Sequence, residues 1–372
     1  MKELREILNA VEKSKRQDVV AALATIVKAK GSTYRRPGAR MFLSIQGEMV
    51  GSISGGCLEG DVFEHAKKVM NSGIPVVVQY DTSSDDDLVW GLGLGCAGVV
   101  DVLIEPLRPD SDYFSFLTHC VEADCPGVLA TVFRVAGLNA RIGSRLALRE
   151  DGTRAAAMEN RELEAAILPD ATAALHSRRS SVKEYTLPEG TAEVFIESIQ
   201  PAVPLLLFGA GHDTIPVVRL AKEIGWNVTV VDSRPAFARK ERFPGAYEIV
   251  LSNPEDVAGK VRVAPHAVAV IMTHNYAQDL KLLKAMLPSS VRYLSVLGPK
   301  KRTESLLSDL SKEGFVPSEE QLSRLYSPAG IDLGAETPEE IALSILGEIQ
   351  AVLAGRSAGL LRNRKGPIHD RG

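Results

Sequence analysis

Residues 205–232 read LLLFGAGHDTIPVVRLAKEIGWNVTVVD, and this stretch decides the fold of the second half of the chain. Leu205–Phe208 is wholly apolar, which is typical of a buried strand. The turn Gly209-Ala-Gly211 follows, then a helical pattern from Ile215 to Ile224, then a second strand that ends in Asp232. This acid lies 23 residues after Gly209 (232 − 209), close to the spacing of a dinucleotide-binding fingerprint. The pattern predicts the start of a Rossmann-like, doubly wound parallel sheet.

Several polar residues are expected at the ligand edge of that sheet. His212 follows the first predicted strand and His274 the fourth, and strands one and four are neighbours in the order 3-2-1-4-5. Both histidines should therefore lie over the crevice, as ligand contacts or as structural residues, with Asp279 one helical turn further. Asp232 suits either of two roles, hydrogen bonding to a ribose hydroxyl or capping a turn. Thr214 replaces the third glycine of the fingerprint.

The strand–helix alternation continues to about residue 355, so we predict a Rossmann-like domain over 203–355 and a flexible tail over 356–372. Further strands are predicted at Glu248–Leu251, Ala267–Met272 and Tyr293–Leu297, and further helices at about 277–287, 300–313 and 338–354. The run Lys300-Lys301-Arg302 at a helix N-terminus suits a phosphate group or a solvated basic turn.

The first 200 residues contain a degenerate internal repeat. Three pairs of segments match at offsets of 106, 105 and 92 residues: Ala22–Val27 with Val128–Phe133, Gly38–Met41 with Gly143–Leu146, and Val102–Glu105 with Val194–Glu197. Each copy reads as three strands, a helix and two strands. We therefore predict an N-terminal α+β domain over 1–200, built from two halves at about 18–109 and 126–201.

The two copies differ at two loops that carry glycine and cysteine. Residues 51–60 read GSISGGCLEG, whereas residues 156–164 of the second copy read AAMENRELE. Residues 91–98 read GLGLGCAG, and the second copy lacks that loop, a deletion of 13 residues (105 − 92). A residue needed only for packing should occur in both halves, so we infer that these loops carry chemistry. The alternative is that the glycines shape tight turns and the cysteines are small buried hydrophobes.

Composition limits the class of protein. The 43 Lys and Arg residues nearly balance the 47 Asp and Glu residues, giving a net charge of −4, so we expect neither nucleic acid nor an anionic membrane as a partner. The longest apolar runs are strand-length, too short for a membrane span. The N-terminus reads as an amphipathic helix without a signal-peptide core, and the 4 cysteines form no CxxC pair. We therefore expect a cytoplasmic protein with free thiols.

Taken together, these motifs resemble the XdhC/CoxI family of accessory proteins for molybdenum hydroxylases such as xanthine dehydrogenase. The resemblance rests on GSTYRRPGARM at 31–41, SGGCLEG at 54–60, GLGC at 93–96, FGAGH at 208–212, VDSR at 231–234, MTH at 272–274 and PAGID at 328–332. The segment 110–200 carries none of these motifs, and only the internal repeat predicts its structure.

The resemblance implies a cofactor-maturation chaperone rather than a stand-alone enzyme. Such a protein binds molybdenum cofactor, as molybdopterin or its cytosine dinucleotide form, supports its sulfuration with a cysteine desulfurase, and inserts it into an apo molybdenum hydroxylase. We expect Cys57 and Cys96 to be cofactor, molybdenum or persulfide ligands and Glu59 to be a proton carrier. Further cofactor contacts are expected at Arg35, Arg36, Gly55, Gly56, Gly95, Gly209, Gly211, His212, Asp232, Arg234, His274 and Asp279. A homodimer is also expected.

Some of these residues also fit purely structural roles. Arg35 and Arg36 also fit an exposed hairpin, and Glu59 also fits the first turn of a helix, where an acid favours the helix dipole. The competing class is an NAD(P)-dependent oxidoreductase with an extra thiol-bearing domain, which explains Gly209, Gly211 and Asp232 but leaves both glycine–cysteine loops unexplained. A thiol enzyme with a Cys57 nucleophile lacks a Cys-His-Asn signature.

Overall fold

The computed structural model describes residues 1–81, 98–264, 266–366 and 368. The chain forms two compact units, of which the first contains Glu3–Pro201 and the second Ala202–Gly366. Within the described ranges, every helix is too short or too polar to cross a lipid bilayer.

The first unit consists of two copies of one topology, each beginning with a helix. Its first copy contains α1 (Lys2–Arg16), β1 (Ala21–Gly31), β2 (Arg40–Ser44), β3 (Met49–Gly51), α2 (Glu59–Ser72), β4 (Val76–Asp81) and β5 (Gly98–Pro106). Its second copy contains α3 (Asp112–Glu122), β6 (Gly127–Ala136), β7 (Arg145–Arg149), β8 (Arg154–Ala157), α4 (Arg161–Ser177), β9 (Ser181–Leu187) and β10 (Gly190–Ile199). The antiparallel sheets run in the orders β3-β2-β1-β5-β4 and β8-β7-β6-β10-β9, so the internal repeat predicted from sequence is confirmed.

One face of each sheet packs against the helix of its own copy. Alternate residues of β1, Ala22, Ala24 and Ile26, are buried together with the apolar side of α2. The equivalent residues of β6 are buried in the same way with α4. The period of two along each strand and the apolar stripe along each helix therefore account for both half-cores.

The opposite faces bury a second set of side chains that also obeys the repeat. One apolar cluster contains Val27, Leu103, Phe133 and Phe195, which are equivalent pairs at offsets of 106 and 92 residues. The central strand pairs of both sheets are interrupted at the same place, next to Val27 in one copy and Phe133 in the other. The irregularity is thus a feature of the repeated unit and not an accident of one half.

Reciprocal ion pairs join the two copies. The Arg40 guanidinium donates to both carboxylate oxygens of Glu197, at 2.7 Å for Nη1–Oε1, and Arg145 donates to Glu105. Arg40 and Arg145 are equivalent in the repeat, as are Glu105 and Glu197, so each copy supplies one arginine and one glutamate. Tyr113 breaks the symmetry, because its hydroxyl accepts from Arg40 Nε at 3.1 Å while the Arg145 guanidinium stacks on its ring.

The second unit is a six-stranded parallel sheet with helices on both faces, which confirms the Rossmann-like prediction. Its strands are β11 (Pro204–Phe208), β12 (Asn227–Asp232), β13 (Glu248–Leu251), β14 (Val268–Ile271), β15 (Tyr293–Val296) and β16 (Leu325–Tyr326), in the order β13-β12-β11-β14-β15-β16. Its helices are α5 (Thr214–Glu223), α6 (Val257–Lys260), α7 (Tyr276–Met286), α8 (Lys300–Lys312), α9 (Glu319–Ser323) and α10 (Pro338–Leu353). Residues of α5 and α10 are buried in the core on one face, and residues of α7 and α8 in the core on the other.

We expect the loss of one arginine–glutamate partner to be costly. Substitution Glu197→Ala leaves the buried Arg40 charge unpaired, and it should lower the free energy of opening of the first unit by about 3–5 kcal/mol. Hydrogen exchange of the β6 and β10 amides measures this opening in the intact chain. Lys13→Ala is the matched control, since it breaks an exposed pair with Glu48 and should change the same free energy by less than about 1 kcal/mol. Equal effects of the two substitutions would contradict this assignment.

Candidate functional site

The loop between β3 and α2 is organised around the carboxylate of Glu59. This carboxylate accepts hydrogen bonds from the Ser54 amide at 2.9 Å, the Ser52 hydroxyl at 3.0 Å, the Gly56 amide at 3.1 Å and the Leu58 amide at 3.2 Å. The Ser54 hydroxyl donates to it as well. A single side chain at the first position of α2 therefore fixes the backbone of the entire loop.

The protonation state of Glu59 follows from these contacts. Partial burial opposes ionisation, but the hydrogen bonds from the Ser54 side chain, the Ser54 amide and the Ser52 side chain outweigh it and hold the pKa below its usual range. The carboxylate is thus ionised at neutral pH with its lone pairs engaged. These contacts favour a positioning role for Glu59 over the expected role as a proton carrier.

The loop presents Cys57 to solvent. Ile53 and Leu58 are buried in the half-core at either end of the loop, whereas Gly55, Gly56 and Cys57 between them are exposed. Gly56 has a φ of +111°, a conformation that side chains other than glycine rarely adopt. The structure therefore gives the glycines a local reason, which is to turn the chain so that the thiol points outward.

The other cysteines have different surroundings. Cys57, Cys120 and Cys125 are all unpaired thiols. Cys120 is buried, and that burial is the largest cause of its pKa being raised to about 12. Gly95 and Cys96, the other predicted loop residues, lie outside the described part of the chain. Among the described cysteines, Cys57 is exposed, Cys125 is half-buried and Cys120 is buried.

The neighbouring hairpin brings the Tyr34 ring and Arg35 toward this loop. The Tyr34 ring is 68% exposed and lies over Gly55, where an added Cβ would be 3.6 Å from the ring atoms. Arg35 forms an ion pair with Glu3, which also accepts from the Ser52 amide at 3.1 Å. Arg36 is exposed. Of the two predicted phosphate contacts, Arg35 is thus committed to an internal pair.

The second copy has no counterpart of this loop. Seven residues, 52–58, separate β3 from α2, whereas three residues, 158–160, separate β8 from α4. In the second copy Asn160 simply caps α4 by accepting from the Leu163 amide at 2.9 Å. The two helices end at equivalent residues, Ser72 and Ser177, which are 105 residues apart. The longer loop of the first copy is therefore not an insertion, and it takes the place of residues that form the end of the strand and the start of the helix in the second copy.

The glycine turn of the second unit is closed by contacts within the protein. Gly209 has a φ of +117°, and a Cβ there would lie 2.4 Å from the Met272 carbonyl oxygen, so glycine is required for close approach of the loops after β11 and β14. A Cβ on Gly211 would lie 2.5 Å from Oδ1 of Asp213. Contacts within the protein therefore require glycine at both positions, whether or not a ligand approaches the turn.

Asp232 is saturated by hydrogen bonds. Its Oδ2 accepts from the Ala210 amide at 2.7 Å and from Arg234 Nη2 at 2.8 Å, and its Oδ1 accepts from the Arg234 amide at 2.8 Å and from Arg234 Nε at 2.9 Å. Burial alone would raise the pKa of Asp232, but these hydrogen bonds, led by the Arg234 side chain, hold it below its usual range. A carboxylate has about four acceptor positions, and here all are occupied.

The two predicted histidines differ in their contacts. His274 Nε2 lies 2.7 Å from Oδ2 of Asp213, which bridges the loops after β11 and β14 at the switch point of the sheet. His212 is exposed. Asp279 is buried, accepting from Thr273 and from Arg302 Nη2 at 2.6 Å, so it orders the loop below His274.

Sequence inspection misses Asp213, Ser54 and Tyr34, whereas Arg302, predicted as a phosphate contact or part of a solvated turn, pairs with Asp279. Asp213 and Ser54 stand inside the quoted motifs, directly after His212 and before Gly55, so their position was available. The hydrogen-bond partner of Asp213 could not be read from the sequence, because Asp213 and His274 are 61 residues apart in the chain.

The two units together define a class of protein. The chain combines a duplicated α+β unit, in which one copy displays a thiol on an ordered glycine loop, with a Rossmann-like unit whose glycine turn is occupied by the chain's own carboxylate. The model of the XdhC Rossmann domain matches residues 205–349, and that of the XdhC and CoxI family matches residues 14–81 and 120–186. The chain belongs to the XdhC and CoxI family.

The two matched stretches of the first unit agree with the internal repeat. They begin 106 residues apart (120 − 14) and end 105 residues apart (186 − 81), which are offsets of the repeat itself. The second copy, in which the sequence alone offers no family motif, is therefore related to the family as well.

Several known proteins are similar over most of the chain. A Bacillus subtilis (strain 168) protein, named as a probable xanthine dehydrogenase subunit, is 33% identical over 332 residues, covering 88% of this chain and 92% of its own length. The molybdenum cofactor insertion chaperone PaoD of Escherichia coli (strain K12) is 22% identical over 333 residues, covering 89% and 83%. A crystal structure described as a xanthine dehydrogenase from Bacillus halodurans has a TM-score of 0.76 and 30% identity, covering 95% and 97%.

The role assigned to Glu59 predicts a pH-dependent loop. Glu59→Gln should weaken protection of the Gly56 and Leu58 amides against hydrogen exchange by about 1.5–3 kcal/mol, because bonds to a charged acceptor are lost. In the unchanged protein, the pKa of Glu59 is lower when folded, so its contribution is complete above the unfolded value of about 4.3 and is lost as pH falls through the folded value.

Glu64→Gln on the same helix is the matched control, because Glu64 is exposed and pairs only with Lys67 among the described contacts. Unchanged loop protection in Glu59→Gln, or an equal loss in Glu64→Gln, would refute the positioning role.

Proposed function

We propose that this chain is an accessory protein that binds molybdenum cofactor and inserts it into a molybdenum hydroxylase of the xanthine dehydrogenase type. Family membership supports this role, as do the names of the relatives, one a molybdenum cofactor insertion chaperone and one a probable xanthine dehydrogenase subunit. The cofactor is cargo in this proposal, taken up by one protein and released to another.

The exposed thiol of Cys57 is the observation that carries the proposal. Cargo must reach its binding group and leave again, so the group has to be accessible, and Cys57 is exposed on a loop that Glu59 fixes. A sulfur donor suits a molybdenum centre that is already bound by the sulfur atoms of its pterin. The same loop is absent from the second copy, which retains the scaffold without the thiol.

Neighbouring groups suit the remainder of the cargo. The exposed guanidinium of Arg36 can bind the terminal phosphate of the cofactor as a charge-assisted, two-pronged donor. The exposed ring of Tyr34 beside Gly55 offers a flat apolar surface to the pterin. Cys96 is proposed as a second sulfur ligand on sequence grounds.

Sulfuration would use the same thiol. In this step a cysteine desulfurase presents a persulfide, the Cys57 thiolate attacks its outer sulfur, the S–S bond of the desulfurase breaks, and a new S–S bond forms on Cys57 Sγ. The desulfurase cysteine leaves as a thiolate. We further propose that the protein acts as a homodimer in the cytoplasm.

The contacts at the glycine turn argue against the competing NAD(P)-dependent oxidoreductase, although the Rossmann-like sheet is the fold that such an enzyme uses. Asp232 has no acceptor position left for a ribose hydroxyl, because Ala210 and Arg234 fill them. The space over Gly211 that a pyrophosphate would need contains the carboxylate of Asp213. NAD(P) is therefore not part of the proposed function.

We expect Cys57→Ser to abolish retention of molybdenum cofactor without unfolding the chain, since a serine hydroxyl does not ionise as a thiol does to become a metal ligand and the residue is exposed. Cys96→Ser should have the same effect if Cys96 is the second ligand. The measurement is molybdenum and pterin content after anaerobic purification, followed by activation of an apo molybdenum hydroxylase.

Cys120→Ser and Cys125→Ser are the controls, because neither thiol lies in a glycine loop. If all four variants retain cofactor equally, the thiol-ligand proposal is wrong, whereas a chain that never carries molybdenum or pterin would overturn the accessory role itself.

A further inference from the structure

The C-terminal end of α3 brings two cysteines together. The helix ends at Glu122, Asp124 takes the left-handed conformation with a φ of +50°, and the Cys125 amide donates to the Cys120 carbonyl oxygen at 3.2 Å. This bond is the one that closes a Schellman helix end, where the side chains of the two bonded residues frequently touch. Both of those residues are cysteines here.

The main-chain bond keeps these cysteines within reach of a disulfide. With standard bond lengths, two residues joined by such a bond have their α-carbons at most about 7 Å apart, and a disulfide requires them to be closer than about 7 Å. The thiols also interact directly. Burial is the largest cause that raises the pKa of Cys120, and the Cys125 thiol is the next.

The two thiols differ in their access to solvent. Cys120 is buried between α3 and the start of β6, where a Cβ on Gly127 would lie 2.9 Å from its Sγ. Cys125 is half-buried, and its Sγ lies 4.0 Å from the His119 carbonyl oxygen. A small reagent can therefore reach Cys125 first, with Cys120 sheltered behind it.

The first copy of the repeat has the same helix end without the thiols. At the end of α1, Asp18 has a φ of +52° and the Val19 amide donates to the Ser14 carbonyl oxygen at 2.9 Å. These residues precede their counterparts at the end of α3 by 106 residues, which is an offset of the repeat. The turn therefore belongs to the repeated scaffold, whereas the pair of thiols belongs to the second copy alone.

We propose that Cys120 and Cys125 form a reversible redox site, which a low-molecular-weight disulfide such as oxidised glutathione converts to an intramolecular disulfide. The Cys125 thiolate attacks one sulfur of the oxidant, whose S–S bond breaks and releases one thiolate. Cys120 then loses its proton and attacks Cys125 Sγ, and the second thiolate leaves. The two protein thiols are oxidised, and the oxidant is reduced to two thiols that take up the two protons.

The disulfide would fasten the C-terminal end of α3. This helix also supplies Tyr113, whose hydroxyl accepts from Arg40 and whose ring lies under the Arg145 guanidinium. The new bond closes a short loop at the far end of the helix, so it should restrict opening of the turn without altering these contacts. The inference is independent of the proposed role in cofactor insertion, because it rests on the scaffold of the first unit.

The test is equilibration of the full-length Cys57→Ser protein with reduced and oxidised glutathione, each at about 1 mM, followed by acid quenching. Cys57→Ser removes the exposed thiol that would react in parallel. Cleavage after Glu122 then separates Cys120 from Cys125, so their fragments should stay joined in about half of the molecules or more and should separate on reduction. A smaller joined fraction, or either cysteine recovered on glutathione or on another cysteine, would overturn the proposal.

The first copy supplies a matched control. Cys120→Ser combined with Cys125→Val installs the residue types that the same turn already accommodates at Ser14 and Val19, so this variant should fold and keep the main-chain bond.

Hydrogen exchange of the amide at position 125 reports on the turn. Oxidation should slow this exchange about tenfold or more in the protein with both cysteines, because the disulfide opposes opening of the turn, and it should leave the control unchanged. Equal responses of the two proteins, or no slowing in a chain whose disulfide has formed, would refute the stapling of α3.

Discussion

The guanidinium of Arg40 meets the carboxylate of Glu197 inside the first unit, and Arg145 meets Glu105 in the equivalent position. Each pair takes its arginine from one copy of the repeat and its glutamate from the other, so neither copy can satisfy its buried charges alone. An unpaired buried charge is far more costly than a missing surface pair. The two sheets are therefore interdependent, and the apolar cluster around Phe133 and Phe195 is closed by the same arrangement.

This interdependence explains how one scaffold can be retained twice while its loops diverge. The strands and helices of both copies contribute to the shared core and its ion pairs, so their pattern is constrained in each half. The connection before the second helix of each copy lies outside that core, since Gly55, Gly56 and Cys57 are exposed. A loop in this place can lengthen at the expense of the adjoining helix and carry a thiol without disturbing the pairs, provided that a side chain such as Glu59 orders it.

Carboxylates with fixed partners also shape the second unit, at its glycine turn. A Rossmann-type sheet gathers the ends of its strands at one edge, and an ordinary glycine turn there favours an anion. Two carboxylates change that preference: Asp232 is neutralised by Arg234 and the Ala210 amide, while Asp213 is held over Gly211 by His274. The fold therefore places the glycine turn at the ligand edge of the sheet, and carboxylates of the chain itself occupy the space around that turn.

The sequence by itself determined the architecture, because periodicity and turn chemistry are local. Apolar runs of strand length, the glycine turn and the helical pattern at about 338–354 lead to the sheet order and to α10. The offsets of 105, 106 and 92 residues lead to the duplicated sheets. Short or weakly patterned elements escaped this reasoning. Helix α3 was not predicted, and β16 has two residues, too few for any period to be visible.

Only the tertiary structure decided what the motif residues contact. Arg40 and Glu197 are 157 residues apart, and Asp213 and His274 are 61 apart, so no local pattern could pair them. Sequence reasoning left two roles open for each carboxylate: a ribose contact or a turn cap for Asp232, and proton transfer or the first turn of a helix for Glu59. In the folded chain both are filled by hydrogen bonds from neighbouring residues, because a buried carboxylate has to be satisfied by whichever donors the fold brings near it.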